Sequence, residues 1–106
     1  MIDLRDKDRQ AIIDIAAATL PGNAVVWAYG SRVKGAAHDT SDLDLAIKTP
    51  AKSPLSLDQW DDFRTALQDS NIPILIQVFD LRQLPESFYP AIEAQHVEIW
   101  RGEDVE

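Results

Sequence analysis

The sequence predicts an α/β fold in which helices cover a β-sheet, because segments of helical and strand character alternate along the chain. Apolar residues recur at helical spacing within residues 3–20, and this pattern stops at Pro21-Gly22. Residues 23–29 form a continuous apolar run rich in valine and aromatic side chains, which is typical of a buried strand. The chain therefore begins with a helix followed by a strand.

The later segments continue this order. We expect a short helix, a strand, a helix, a strand, a short helix and a final strand at residues 31–36, 42–47, 56–68, 72–80, 85–94 and 97–100. In the second strand Leu43, Leu45 and Ile47 share one face, since side chains alternate along a strand. That face should pack against helices.

Length and composition limit the classes of function. The 106 residues are enough for one domain, spanning 1–106, and 10 basic against 18 acidic residues give a net charge of −8. Such a chain offers no evident basic surface for direct nucleic-acid binding. It has no cysteine, which excludes disulfides and thiolate zinc ligands. No signal peptide or membrane-spanning run is evident, so we expect a cytoplasmic protein with no membrane contact.

The most informative segment begins where the first strand ends. Gly30-Ser31 forms a turn there, and ten residues separate Ser31 from Asp42 in the sequence Asp42-Leu43-Asp44. A turn of this kind can open a short helix whose free N–H groups face a phosphate. Two carboxylates on one strand face repel each other unless a divalent cation such as Mg²⁺ binds between them. The segment therefore predicts a site for nucleotidyl transfer.

Each of these residues also has a simpler explanation. Asp42 and Asp44 would suit a solvated strand face, although aspartate is a poor strand former and their neighbours here are apolar. Ser31 would serve as a helix N-cap, a role compatible with phosphate contact. Arg32 would be a surface charge, but a cation beside this turn in an acidic chain favours phosphate binding.

The segment resembles the motif of the DNA polymerase β nucleotidyltransferase superfamily, which has Gly-Ser, ten residues and Asp-x-Asp. More narrowly, it resembles the minimal nucleotidyltransferases of bacteria and archaea, and the resemblance extends from Ala24 to Ile99. It implies a polymerase β-like nucleotidyltransferase core, which is an α/β (α+β) fold with a small mixed β-sheet flanked by helices. It also implies Mg²⁺ as cofactor, ATP as substrate, metal ligands at Asp42 and Asp44, and nucleotide contacts from Gly30, Ser31 and Arg32.

One position departs from the family pattern. Relatives that transfer nucleotides usually carry a third acidic residue on a later strand, and the matching position here is Gln77. A glutamine amide cannot accept a proton at neutral pH. Asp80 falls on the other face of that strand by parity, unless a bulge intervenes. We therefore take Asp42, Asp44 and Gln77 as the catalytic positions, with the general base in question.

The resemblance implies an antitoxin that transfers AMP from ATP to a HEPN-class ribonuclease toxin within a hetero-oligomer. The alternative is a catalytically weakened module that neutralises the same partner by binding alone. Nucleotide transfer to a small molecule such as an aminoglycoside has no support, because nothing in 106 residues supplies an added substrate-binding domain.

The turn residues can be tested separately. Ser31→Ala should weaken ATP binding by about 1 kcal/mol, and Arg32→Ala by about 2 kcal/mol, as expected for a neutral and a charged hydrogen bond. Calorimetry would measure both effects. A nucleotide-bound structure with the phosphates away from Gly30-Ser31 would contradict the assignment.

Overall fold

The structure of the protein, a computed structural model, describes residues 4–30, 42–50 and 52–105. Within these ranges the chain forms helices, strands and two 3₁₀ turns. In chain order they are α1 (Asp6–Thr19), β1 (Val25–Tyr29), β2 (Leu43–Lys48), α2 (Leu57–Gln68), β3 (Ile76–Asp80), the 3₁₀ turns Leu81–Gln83 and Glu86–Phe88, α3 (Tyr89–Ala94) and β4 (Val97–Arg101). The short helix expected at residues 31–36 lies outside the described residues.

The four described strands form one mixed sheet in the order β3-β2-β1-β4. β1 runs antiparallel to β2 and to β4, whereas β2 and β3 run parallel. A parallel pair needs a crossover connection, and α2 supplies it here. The mixed sheet with flanking helices confirms the predicted fold class.

One face of the sheet carries the main hydrophobic core. Leu43, Leu45 and Ile47 are fully buried, which confirms their predicted position facing the helices. They belong to the same cluster as Ile12 of α1 and Phe63 of α2. Burying a side chain of this size contributes roughly 1.5–3 kcal/mol, so this layer anchors β2 in the centre of the sheet.

The opposite face is where the polar residues lie. On it Val25 and Trp27 of β1 pack against Ile92 of α3 in a second, smaller cluster. Because side chains alternate between faces, Asp44 of β2 and Gln77 of β3 also lie on this side.

β3 begins at Ile76, whereas the sequence predicted a start at residue 72. The first residue of β2, Leu43, already pairs with Ile76, so the residues before it extend past the end of the neighbouring strand. A single backbone hydrogen bond from Leu43 N to Leu75 O, at 2.9 Å, closes the pairing. Pro73 also lacks the N–H that a ladder would need.

α1 begins at Asp6 rather than at residue 3, because Arg5 is extended and acts as its N-cap. The Arg5 carbonyl accepts the first helical hydrogen bonds, from Asp8 N and Arg9 N. Its guanidinium also pairs with the Asp8 carboxylate at 2.8 Å. Every helix in the described ranges is too short or too polar to span a bilayer.

The core can be tested within α2. Phe63→Ala should lower the free energy of unfolding by about 3–5 kcal/mol, because it opens a cavity in a fully buried position. Leu57→Ala in the same helix is the control, since Leu57 is 81% exposed and should change stability by less than about 0.5 kcal/mol. Urea denaturation followed by circular dichroism measures both, and equal effects would contradict the packing described.

Candidate active site

The polar end of the sheet is organised around Asp44. In the strand register Asp44 pairs with Tyr29 of β1 on one side and with Gln77 of β3 on the other. Paired residues on neighbouring strands point to the same face, with their backbones roughly 5 Å apart. Three strands therefore contribute one row of three side chains.

Asp42 joins this row from the segment that precedes β2. Gln77 Nε2 donates a hydrogen bond to Asp42 Oδ2 at 2.9 Å. Asp42 and Asp44 are half-buried, whereas Gln77 is exposed. The structure thus brings together the three residues that the sequence analysis grouped as catalytic positions, although their roles stay predictions.

Asp42, Asp44 and Gln77 form what we call the carboxylate corner. Its two carboxylates make it favourable for a cation. Burial, and after it the negative charge of Asp42, raises the pKa of Asp44 above its ordinary value. Both causes act against the charged form, and a divalent cation would oppose both by attracting the carboxylates.

The oxygen donors at this corner fit Mg²⁺, which prefers carboxylates together with substrate phosphates. Within residues 4–30, 42–50 and 52–105, no group of three or more His, Cys, Asp or Glu side chains is placed to hold a metal ion. The Gln77 amide stands where a third carboxylate would complete such a group. A metal held here would have Asp42 and Asp44 as its charged protein ligands.

The turn after β1 lies directly against Asp44. Gly30 has a φ of +87°, a conformation that L side chains rarely adopt. A Cβ added to Gly30 would lie 2.6 Å from Asp44 Oδ2, so a side chain would clash with the carboxylate as well. Both the backbone conformation and the lack of space therefore require glycine at this position. Ser31 and Arg32, which follow it, lie outside the described residues.

Tyr29 is a site-lining residue whose role the sequence left open. Burial, followed by the charge of Asp44, raises the pKa of the Tyr29 phenol to about 12. The phenol therefore stays protonated at neutral pH. Its ring lies against Phe79 of β3, with the ring centroids 6.4 Å apart. The one signal in the sequence was its position immediately before Gly30.

Asp80 does not join the carboxylate pair. It pairs with Ile47, three residues along β2 from Asp44, which is a distance of roughly 10 Å along the strand. Its Oδ1 accepts a hydrogen bond from Arg82 N at 2.9 Å and caps the 3₁₀ turn that follows β3. This placement agrees with the parity argument and leaves Gln77 beside the aspartates.

Sequence reasoning missed a cleft that Gly30 helps to line. Its volume is about 260 Å³, and Tyr29, Gly30, Phe88, Ala91, Ile92 and Gln95 line it. The sequence analysis predicted a helix at residues 85–94 but had no means to place that helix beside the turn, because the docking is a tertiary contact.

The family-model comparison covers most of the chain. Residues 10–104 match the model described as Polymerase beta, Nucleotidyltransferase. A Haemophilus influenzae protein described as a probable protein adenylyltransferase MntA is 32% identical over 102 residues, which make up 96% of this chain and 87% of that protein.

Solved structures share the fold. A chain in a crystal structure of a toxin-antitoxin with AMP-PNP has a TM-score of 0.69 at 20% identity, over 91% of this chain and 75% of that one. A chain in the Shewanella oneidensis complex of tri-AMPylated HEPN toxin with MNT antitoxin has a TM-score of 0.62 at 16% identity, over 90% and 71%. The family-model match and the Haemophilus relative show that this chain belongs to the polymerase β nucleotidyltransferase family.

Proposed function

We propose that this protein is a Mg²⁺-dependent adenylyltransferase that transfers AMP from ATP to a HEPN-class toxin and so acts as its antitoxin. The observation that carries the proposal is the row of Tyr29, Asp44 and Gln77 beside the Gly30 turn, with Asp42 hydrogen-bonded to Gln77. The Haemophilus relative, a probable protein adenylyltransferase aligned over nearly the whole chain, supports the same reaction.

The partner is inferred from the relatives. Similar structures include toxin-antitoxin complexes, one of them with AMP-PNP and one with an AMPylated HEPN toxin. A net charge of −8 makes direct competition for RNA an unfavourable way to oppose a ribonuclease. AMP attached near a ribonuclease site adds bulk and negative charge, which would block RNA entry. We therefore propose a hetero-oligomer as the active assembly, with the cytoplasm as its location.

Different residues of the site are proposed to bind the metal and the phosphates. Asp42 and Asp44 would hold Mg²⁺, and the cation would supply positive charge to offset that of the triphosphate. Gly30 lets the turn lie close against Asp44, while Ser31 and Arg32 are the proposed hydrogen-bond donors to the phosphates. Together they orient the α-phosphorus toward the acceptor.

At the α-phosphorus the reaction forms one bond and breaks one. The acceptor hydroxyl oxygen, proposed to be that of a tyrosine, bonds to the α-phosphorus, and the bond from that phosphorus to the α–β bridging oxygen breaks. Pyrophosphate leaves, and the hydroxyl proton passes to a base. Gln77 lacks a proton-accepting group at neutral pH, so its position supplies no general base and transfer should be slower than a carboxylate would allow.

The hydrogen bond from Gln77 to Asp42 favours a second function. The hydrogen bond engages one oxygen of Asp42, a proposed metal ligand. Gln77 also puts a neutral amide at the position where relatives carry a negative charge. A protein with this change could keep the fold and the partner while losing turnover. It would then neutralise the toxin by binding alone.

The two functions differ in whether label is transferred. The protein is incubated with [α-³²P]ATP, Mg²⁺ and a candidate HEPN-class partner protein, with Asp42→Asn as the inactive control. Label on the partner that depends on Mg²⁺ and on Asp42 supports adenylyl transfer. A stable, ribonuclease-inhibiting complex that gains no label supports the binding module instead.

Asp44→Asn should abolish Mg²⁺-dependent ATP binding in calorimetry while the metal-free protein becomes slightly more stable. The folded-state pKa of Asp44 is raised, so the native state holds its proton more tightly than the unfolded chain does. The contribution of Asp44 to the stability of the wild type therefore falls as pH rises from roughly 4 through the raised pKa, and the variant lacks this fall.

Thermal unfolding across pH 3–8 measures the stability difference, with Asp61→Asn on the exposed face of α2 as the matched control. A variant at position 44 that binds Mg-ATP as tightly as the wild type would show that the carboxylate is not a metal ligand.

Gln77→Asp should raise the rate of AMP transfer by roughly tenfold, because it restores a proton acceptor beside Asp42 and Asp44. General-base catalysis contributes roughly 10²–10⁴-fold, so partial restoration is enough to observe. Asp80→Asn is the matched comparison and should leave the rate unchanged, since its side chain keeps the oxygen that caps the turn. Single-turnover transfer measures both rates. No gain at position 77 with a loss at position 80 would place the base at Asp80.

A further inference from the structure

The cleft beside the carboxylate corner is built from two parts of the chain that converge on Gly30. One wall is the end of β1, with Tyr29 and Gly30, and the other is the segment from Ser87 to Gln95. Gly30 lines the cleft and also lies against the carboxylate corner, because a Cβ at this position would meet Asp44 Oδ2. The cleft is thus continuous with the proposed phosphate-binding turn.

The lining of the cleft is mostly apolar. Ile92 is 4% exposed and packs with Trp27 beneath it, so the floor is fixed by the second core cluster. Phe88 is 50% exposed, which makes it one of the most exposed large apolar side chains in the described part of the chain. Ser87 and Gln95 add hydrogen-bonding groups. A flat ring with polar edges suits a space of this kind.

The position of the cleft indicates which flat ring it would bind. A triphosphate held at the Gly30 turn with its α-phosphorus near Asp44 would have its nucleoside within reach of the space adjoining that turn. The cleft adjoins the turn directly, and about 260 Å³ accommodates a nucleobase. None of the described residues that line the cleft is a cation that would attract the phosphates, whereas an uncharged base gains from covering Phe88.

We propose that this cleft binds the nucleobase of the nucleoside triphosphate, with Phe88 as a stacking surface and Gln95 as a hydrogen-bonding partner at the rim. The inference rests on the proposed function and deepens it by assigning the base subsite. Phe88, Ala91 and Gln95 become determinants of nucleotide affinity that the Gly-Ser and Asp-x-Asp residues do not include.

The test compares two ligands that differ in the nucleoside. Mg-ATP and Mg-tripolyphosphate are titrated by calorimetry into the wild type, Phe88→Ala, Ala91→Leu and the control Leu57→Ala. Phe88→Ala removes the stacking surface, and Ala91→Leu fills the cleft from an exposed helical position. Leu57 is also an exposed apolar residue but lies in α2, so its truncation controls for a general loss of apolar surface. Thermal unfolding verifies that each variant is folded.

Both cleft variants should bind Mg-ATP about tenfold more weakly than the wild type, as expected when one base-stacking contact is lost. Their affinity for Mg-tripolyphosphate should be unchanged, and the control should match the wild type with both ligands. If the variants bind Mg-ATP normally, the base does not occupy the cleft, and a loss of transfer to the toxin alone would assign it to the acceptor. If the wild type binds neither ligand, the proposed function fails together with this inference.

Discussion

The candidate site depends on the pairing of β2 with two different neighbours. An antiparallel register to β1 sets Tyr29 and the Gly30 turn beside Asp44, and a parallel register to β3 sets Gln77 on its other side. A slip of one residue in either pairing would turn the relevant side chains to the helix-covered face. The buried residues of β2 prevent this slip, because moving them to the open face would expose the main core.

Electrostatics then makes the folded corner incomplete by itself. Burial and the neighbouring charge of Asp42 both disfavour ionised Asp44, and a divalent cation would offset both effects. The close contact of Gly30 with the same carboxylate places the turn where that phosphate would be bound. The ionised form of Asp44 that a cation would need is therefore the form that the folded apo protein disfavours.

Some of this arrangement was readable in the sequence and some was not. The shared face of Asp42 and Asp44, the burial opposite them and the exclusion of Asp80 follow from the two-residue period of a strand, which is a local property. The pairing of Asp44 with Gln77 depends on register between distant segments, so only the family resemblance pointed to it. The cleft beside Phe88 depends on where α3 docks, and helical periodicity carries no information about docking.

The central claim is that Asp42 and Asp44 hold a divalent cation at the Gly30 turn. Its most direct test is a crystal structure with Mn²⁺ and a non-hydrolysable ATP analogue, recorded at a wavelength where manganese scatters anomalously. We expect a single strong anomalous peak about 2 Å from an oxygen of each aspartate, with the triphosphate against the turn. A metal and triphosphate bound elsewhere, with both carboxylates free, would contradict the account.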